Sequence, residues 1–159
     1  MKTLVVGLGN SLLTDDGVGL YVARALAARR LPPNVEVTET SLGGLRLLDV
    51  IGGYERVVLV DAIQTAGGRP GQLHRLGLND LCASRHAGCS HDLSLPVALA
   101  LGRQLGMALP ADENLAIVAI EVGEVLTFSE HCTPEVEAAI PLAVEQVLSI
   151  LEEPCTSLR

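Results

Sequence analysis

The sequence predicts an α/β fold: one three-layer domain over residues 1–159, in which a twisted, mostly parallel sheet of about five strands, with an antiparallel edge strand, has helices on both faces. Three observations predict it. The apolar runs Leu4-Val5-Val6, Val57-Val58-Leu59-Val60 and Leu115 to Ile120 are continuous and short, as strands buried on both faces are. Segments with helical spacing of apolar residues alternate with these runs. Finally, 159 residues that are 48% hydrophobic and only 2% aromatic, with no linker-like stretch, suit one sizeable core built from Val, Leu, Ile and Ala.

The first unit is a strand, a glycine-rich loop and a helix. After Leu4-Val5-Val6 comes Gly7-Leu-Gly-Asn-Ser-Leu-Leu-Thr-Asp-Asp-Gly-Val-Gly19, then Val18, Tyr21, Val22, Ala25 and Leu26 at helical spacing. Gly7 and Gly9 are expected to make a tight turn that a side chain would block. The first helix is expected from about Asp16 to Arg29, capped by Asp15 or Asp16 and stopped at Pro32-Pro33. Val35 to Thr40 alternates apolar and polar residues, which marks a half-exposed strand near an edge. Leu45, Leu47, Leu48 and Ile51 suggest a second helix closed by Gly52-Gly53.

Arg56 to Asp61 is the clearest central strand, and it ends in a carboxylate. The next strand, Gly71 to Leu76, follows without an intervening helix, so it is expected antiparallel at an edge, with His74 on the surface. Cys82 to Ser90 lacks periodicity and reads as an exposed loop. Ser90-His91-Asp92 then opens a helix carrying Leu93, Leu95, Val97, Ala98 and Leu101, with Pro96 in its first turn. Leu115 to Glu121 is a further buried strand ending in an acid. Beyond the loop from Val122 to Thr133, Thr133-Pro134-Glu135 starts the last helix with a threonine cap, a proline and first-turn acids. Residues 152–159 are expected to fray.

Composition narrows the function. A formal net charge of -8 argues against nucleic acid, whose phosphates need a basic surface. Met1-Lys2-Thr3 leads directly into a strand with no export signal, and no apolar run reaches membrane-spanning length. A cytoplasmic protein without membrane contact is therefore expected. Disulfides among Cys82, Cys89, Cys132 and Cys155 are not expected there. Cys82, His86, Cys89 and His91 are crowded together, but their spacing matches no ordinary zinc module.

The glycine-rich loop is not a dinucleotide fingerprint: Leu12 stands where the third glycine belongs, and two acids would repel a phosphate. Gly-x-Ser-x-Gly and His-Glu-x-x-His motifs are absent. In open parallel sheets binding groups gather at the carboxyl ends of the strands. Asp16, Asp61 and His91 all fall on that edge, and two carboxylates with one imidazole make an oxygen/nitrogen set suited to a divalent transition metal. Each also has a plain structural reading, as a helix cap, a turn residue and a packed helix-start histidine. Asp15, next to Asp16, is an alternative ligand; Glu121 and His131 are weaker candidates, with Glu121 better suited to pairing with a backbone amide or a charged group.

The Gly7–Gly19 loop, the Val-Leu-Val-Asp61-Ala62 strand end and Ser90-His91-Asp92-Leu93, in that order, resemble the hydrogenase maturation endopeptidases, and the likeness extends over nearly the whole chain, including Thr133-Pro134-Glu135-Val136. The resemblance implies an endopeptidase that removes the C-terminal extension of a [NiFe] hydrogenase large-subunit precursor after nickel insertion, with nickel presented by that precursor as the recognition signal. It carries the nickel-contacting role over to Asp16, Asp61 and His91. A monomer is expected. The rival readings are a nickel-binding adaptor or chaperone that does not cut, a metal-dependent amidohydrolase of small molecules and a nucleotide-binding α/β enzyme.

Overall fold

The computed structural model describes residues 1–83 and 95–155. Strands β1 (Thr3–Leu8), β2 (Val35–Thr40), β3 (Arg56–Ile63), β4 (Leu73–Gly77) and β5 (Leu115–Glu121) form one sheet in the order β2-β1-β3-β5-β4. All pairings are parallel except β4 with β5. The helices are α1 (Val18–Ala27), α2 (Leu45–Ile51), α3 (Leu78–Ala83), α4 (described from Leu95, Leu95–Gln104) and α5 (Pro134–Glu152).

Strand alternation divides the core. Leu4, Val6, Leu8, Val57, Leu59, Ile63 and Ile117 pack with Leu47, Leu48 and Ile51 of α2 and Leu95 and Leu99 of α4. Val5, Val58, Val60, Val118 and Ile120 face the other way, onto Val22 and Leu26 of α1 and Val136, Val144 and Val147 of α5. Burying one such aliphatic side chain contributes about 2 kcal/mol. On that scale β3, buried from Val57 to Ile63, anchors the sheet, and β2, half-buried at the edge, adds much less. The edge place of β2 and the antiparallel edge place of β4 are as the sequence predicts.

Four local expectations are corrected. First, the chain does not enter α1 at Asp16: a 3-10 turn over Thr14–Gly17 precedes it, and neither aspartate caps a helix through its side chain. Both carboxylates are turned to other backbone groups, described below. Second, Gly7 lies within β1 and is required by packing rather than by a turn. A Cβ there would come 2.3 Å from the Gly19 carbonyl oxygen, and one on Gly19 would come 2.4 Å from the Val60 carbonyl oxygen. The paired glycines let α1 settle backbone-to-backbone on β1 and β3. Gly9, at φ +147°, does make the turn. Third, Cys82 belongs to the short helix α3 rather than to a loop. Fourth, Thr133 stands at the cap position of α5 but makes no capping bond through its side chain.

Past α5, Glu153 is tied back to the sheet. Both of its carboxylate oxygens accept from Arg75 of β4 at 2.5 Å. Arg56 of β3 donates to the carbonyls of Ile150 and Glu153.

Candidate functional site

Asp15, Asp16 and Asp61 lie toward the carboxyl end of the sheet. Asp15 and Asp16 sit side by side in the 3-10 turn and are both buried, at 0% and 5% exposure. Their roles differ. Asp15 is saturated by protein donors: Thr133 N–H at 2.7 Å, the Thr133 hydroxyl at 2.9–3.0 Å, and Glu124 N–H at 3.3 Å. Asp15 N–H in turn donates to the Glu124 carbonyl at 3.0 Å. The side chain that could have rivalled Asp16 as a ligand therefore fastens the first loop to the 122–133 loop and to the start of α5. Asp16 instead has Oδ2 on the N–H of Asn10 at 3.0 Å, which closes the glycine-rich loop on itself.

Asp61 lies in β3, two residues before its end, so the strand runs on past the carboxylate. It is fully buried, and its Oδ1 accepts the N–H of Ala62 at 2.8 Å. It alternates with Leu59 and Ile63 and so shares their sheet face, toward α2 and α4. The close approach of Gly19 to Val60 brings the Asp16 turn against the same stretch of β3. Asp16, in the turn after β1, and Asp61, near the end of β3, thus lie toward the same end of two neighbouring parallel strands. His91, with His86 and Cys89, lies outside the described residues. Among the described residues no group of three or more His, Cys, Asp or Glu side chains is arranged to hold a metal ion.

Two further features frame this end. The loop Gly9–Leu12 and the end of β2, Thr40–Ser41, border a cavity of about 450 Å³, with the Arg24–Glu39 ion pair at 2.8 Å on its wall. The 122–133 loop is laid along the first loop by a short parallel bridge, Leu13 with Ser129, so that exposed Leu12, Leu126 and Phe128 lie on two loops that hydrogen-bond to each other.

Sequence reasoning missed one cluster here. Glu121, 2% exposed, accepts Thr65 N–H at 2.6 Å, the Thr65 hydroxyl at 3.0 Å and His74 Nε2 at 3.0 Å. Its pairing with a backbone amide is as expected. His74, though, is not a plain surface residue: its side chain is only 25% exposed. Nothing in the order of residues joins Thr65, His74 and Glu121, because their meeting depends on the antiparallel register of β4 on β5.

The model of the family described as "HycI: Hydrogenase maturation protease" matches residues 20–150. Over 155 residues, 96% of this chain and 92% of the relative, the chain is 34% identical to the hydrogenase 2 maturation protease of Escherichia coli K12. This chain belongs to the hydrogenase maturation protease family. Like other members it is an endopeptidase. A hydrogenase maturation protease of the same length class, the HybD endopeptidase of E. coli, superposes with a TM-score of 0.79 at 31% identity, covering 95% of this chain and 92% of that one. The HybD protease of Thermococcus kodakarensis gives 0.68 at 26% identity, covering 94% and 99%. The HupD protein of Thiocapsa roseopersicina is 26% identical over 96% of this chain and 68% of its own. Among the described residues no helix of this hydrogenase maturation protease is long and apolar enough to cross a membrane.

Proposed function

We propose that this protease removes the C-terminal extension of a [NiFe] hydrogenase large-subunit precursor, in the cytoplasm and as a monomer, once nickel is in place. Asp16, Asp61 and His91 are the residues that contact the precursor's nickel. The observation that carries the reading is the pair of buried carboxylates, Asp16 and Asp61, delivered by separate elements to one end of the sheet in a chain of this family.

Carboxylate oxygens and an imidazole nitrogen suit a divalent ion of this kind, and three protein groups leave positions for ligands from the substrate. In this reading nickel arrives with the substrate. Contact with it fixes the scissile peptide relative to the protease, which converts recognition into positioning. The bound ion can also polarise the scissile carbonyl or lower the pKa of a water. The cavity bordered by Gly9–Leu12 and Thr40–Ser41 gives the extension a path along the glycine-rich loop, whose Asn10 N–H is held by Asp16, and Leu12, Leu126 and Phe128 provide an apolar rim toward the folded part of the precursor.

The test is to incubate the protein with nickel-loaded and nickel-free large-subunit precursor and weigh the products. A C-terminal peptide should be lost from the loaded precursor alone. Binding without any cut would favour the adaptor reading instead, and equal cleavage of both precursors would remove nickel from recognition.

A further inference from the structure

The register of the sheet sets three ionisable side chains on one face beside the site. Asp61 of β3 pairs with Ala119 of β5, and Ala119 pairs with His74 of β4. Paired residues on adjacent strands share a face, so Asp61, Ala119 and His74 form one row across three strands. Glu121 stands two residues further along β5, opposite Ile63, on the same face. At a strand spacing of about 4.8 Å, Asp61 and His74 are roughly 10 Å apart at their backbones.

Within this set the Glu121 carboxylate orients the His74 ring. Its other partners, the Thr65 N–H and hydroxyl, are donors, so the carboxylate is an acceptor throughout and His74 Nε2–H donates to it. The surroundings are built around this carboxylate. A Cβ on Gly68 would lie 1.9 Å from Glu121 Oε1, so the 64–72 loop closes over the acid only because residue 68 has no side chain. The loop is pinned on its other side by Gly71 N–H on the Glu121 carbonyl and by Glu121 N–H on the Gln72 carbonyl, both at 2.8 Å. The tautomer that gives its Nε2 proton to Glu121 leaves Nδ1 as an acceptor. Nδ1 has no partner among the described residues, and the side chain retains access to solvent. Satisfying Glu121 requires only a donor; it does not require a second ring nitrogen held ready at the surface.

We propose that His74 is a substrate-positioning residue of this protease: Glu121 fixes its ring through Nε2, and Nδ1 accepts a hydrogen bond from a peptide N–H of the precursor's C-terminal extension. The proposal rests on the reading that this chain cleaves such a precursor. The decisive variant is His74→Gln. Its amide N–H takes the place of Nε2–H on Glu121, while the Nδ1 acceptor is lost. Thr65→Val is the companion, since it removes a donor to Glu121 without touching the ring. Steady-state cleavage of nickel-loaded precursor and thermal melting are measured for both and for the wild type. The expected result is a roughly tenfold higher KM for His74→Gln at near-normal kcat and Tm, the loss of one hydrogen bond to substrate, and a normal KM for Thr65→Val. A wild-type KM in His74→Gln overturns the proposal, as does an equal rise in KM in Thr65→Val. Failure of the wild type to cleave would instead overturn the functional reading and this inference with it.

Discussion

Thr133 gives both its backbone N–H and its hydroxyl to the carboxylate of Asp15, the N–H at 2.7 Å. One buried acid thereby joins the loop after β1 to the start of α5, more than a hundred positions away in the chain. The same acid accepts from Glu124 N–H, so it organises the 122–133 loop as well. The neighbouring Asp16 holds a different group, the N–H of Asn10.

Asp15 is accordingly a stability residue. Asp15→Ala strands the N–H groups of Thr133 and Glu124 in a part-buried setting, and hydrogen bonds to charged groups contribute about 1.5–3 kcal/mol each. The expected loss is about 3 kcal/mol in total, read as a lower midpoint in urea with an unchanged m-value. An Asp15→Ala protein with the wild-type midpoint would remove this role.

Asp16 and Asp61 should behave in the opposite way. Asp16→Asn keeps an oxygen for the Asn10 N–H, and Asp61→Asn keeps one for Ala62. Processing of nickel-loaded precursor should fall by about a hundredfold or more in each, since a neutral amide is a poor ligand for a divalent ion. Single-turnover cleavage followed by mass measurement reads the processing, and thermal melting of the same variants reads the fold. Normal cleavage by both variants would end the assignment of these carboxylates to the site.

Gly68 supplies a steric test of the Glu121 cluster. Gly68→Ala drives a Cβ to 1.9 Å from Glu121 Oε1 and 2.6 Å from Thr65 Oγ1, and one of the two must move. Overpacking of this kind costs about 1–3 kcal/mol. Gly67→Ala is the control: it meets nothing within 4 Å, and only its φ of +75° opposes the substitution, for about 1 kcal/mol. The two differ by one position, so melting the pair side by side isolates the contact. If Gly67→Ala lost as much as Gly68→Ala, strain in the turn rather than room for the acid would explain the glycine.

These cases show how far the sequence could be read. Strands and helices were legible because buried β1, β3 and β5 are uninterrupted aliphatic runs, and because Pro32-Pro33 and Gly52-Gly53 punctuate them. The place of Asp61 near the carboxyl end of β3 was legible because it follows such a run, although the strand continues through Ile63. The division of labour between Asp15 and Asp16 was not, since both are acids at one loop and only the partners, Thr133 and Asn10, tell them apart. The link from His74 to Glu121 was hidden for a related reason. Alternation places His74 on one face of an edge strand, but which side chains share that face follows from the register against β5, and that is fixed by contacts far apart in the chain.

Cys132 offers a prediction in which pH decides the outcome. Burial, with the negative charges of Asp15 and Glu137 nearby, pushes its thiol up to about 12. Its Sγ lies 3.8 Å from the Thr14 carbonyl, beside the loop that carries the acids. A thiolate is the reactive form, so alkylation of Cys132 by iodoacetamide in the folded protein should be slow at pH 8 and should rise only toward pH 12. Unfolded chain, with an ordinary thiol, should react at pH 9. Between those values the native state holds a proton that the unfolded state has released, so this group makes stability fall as pH rises. Asp15→Asn removes one of the charges that hold the thiol protonated, and it should speed alkylation at a given pH below 12. Peptide mass mapping after timed labelling reads the rate at Cys132 separately from those at Cys82, Cys89 and Cys155. Rapid labelling of native Cys132 at pH 8 would show that its thiol is not held in this way.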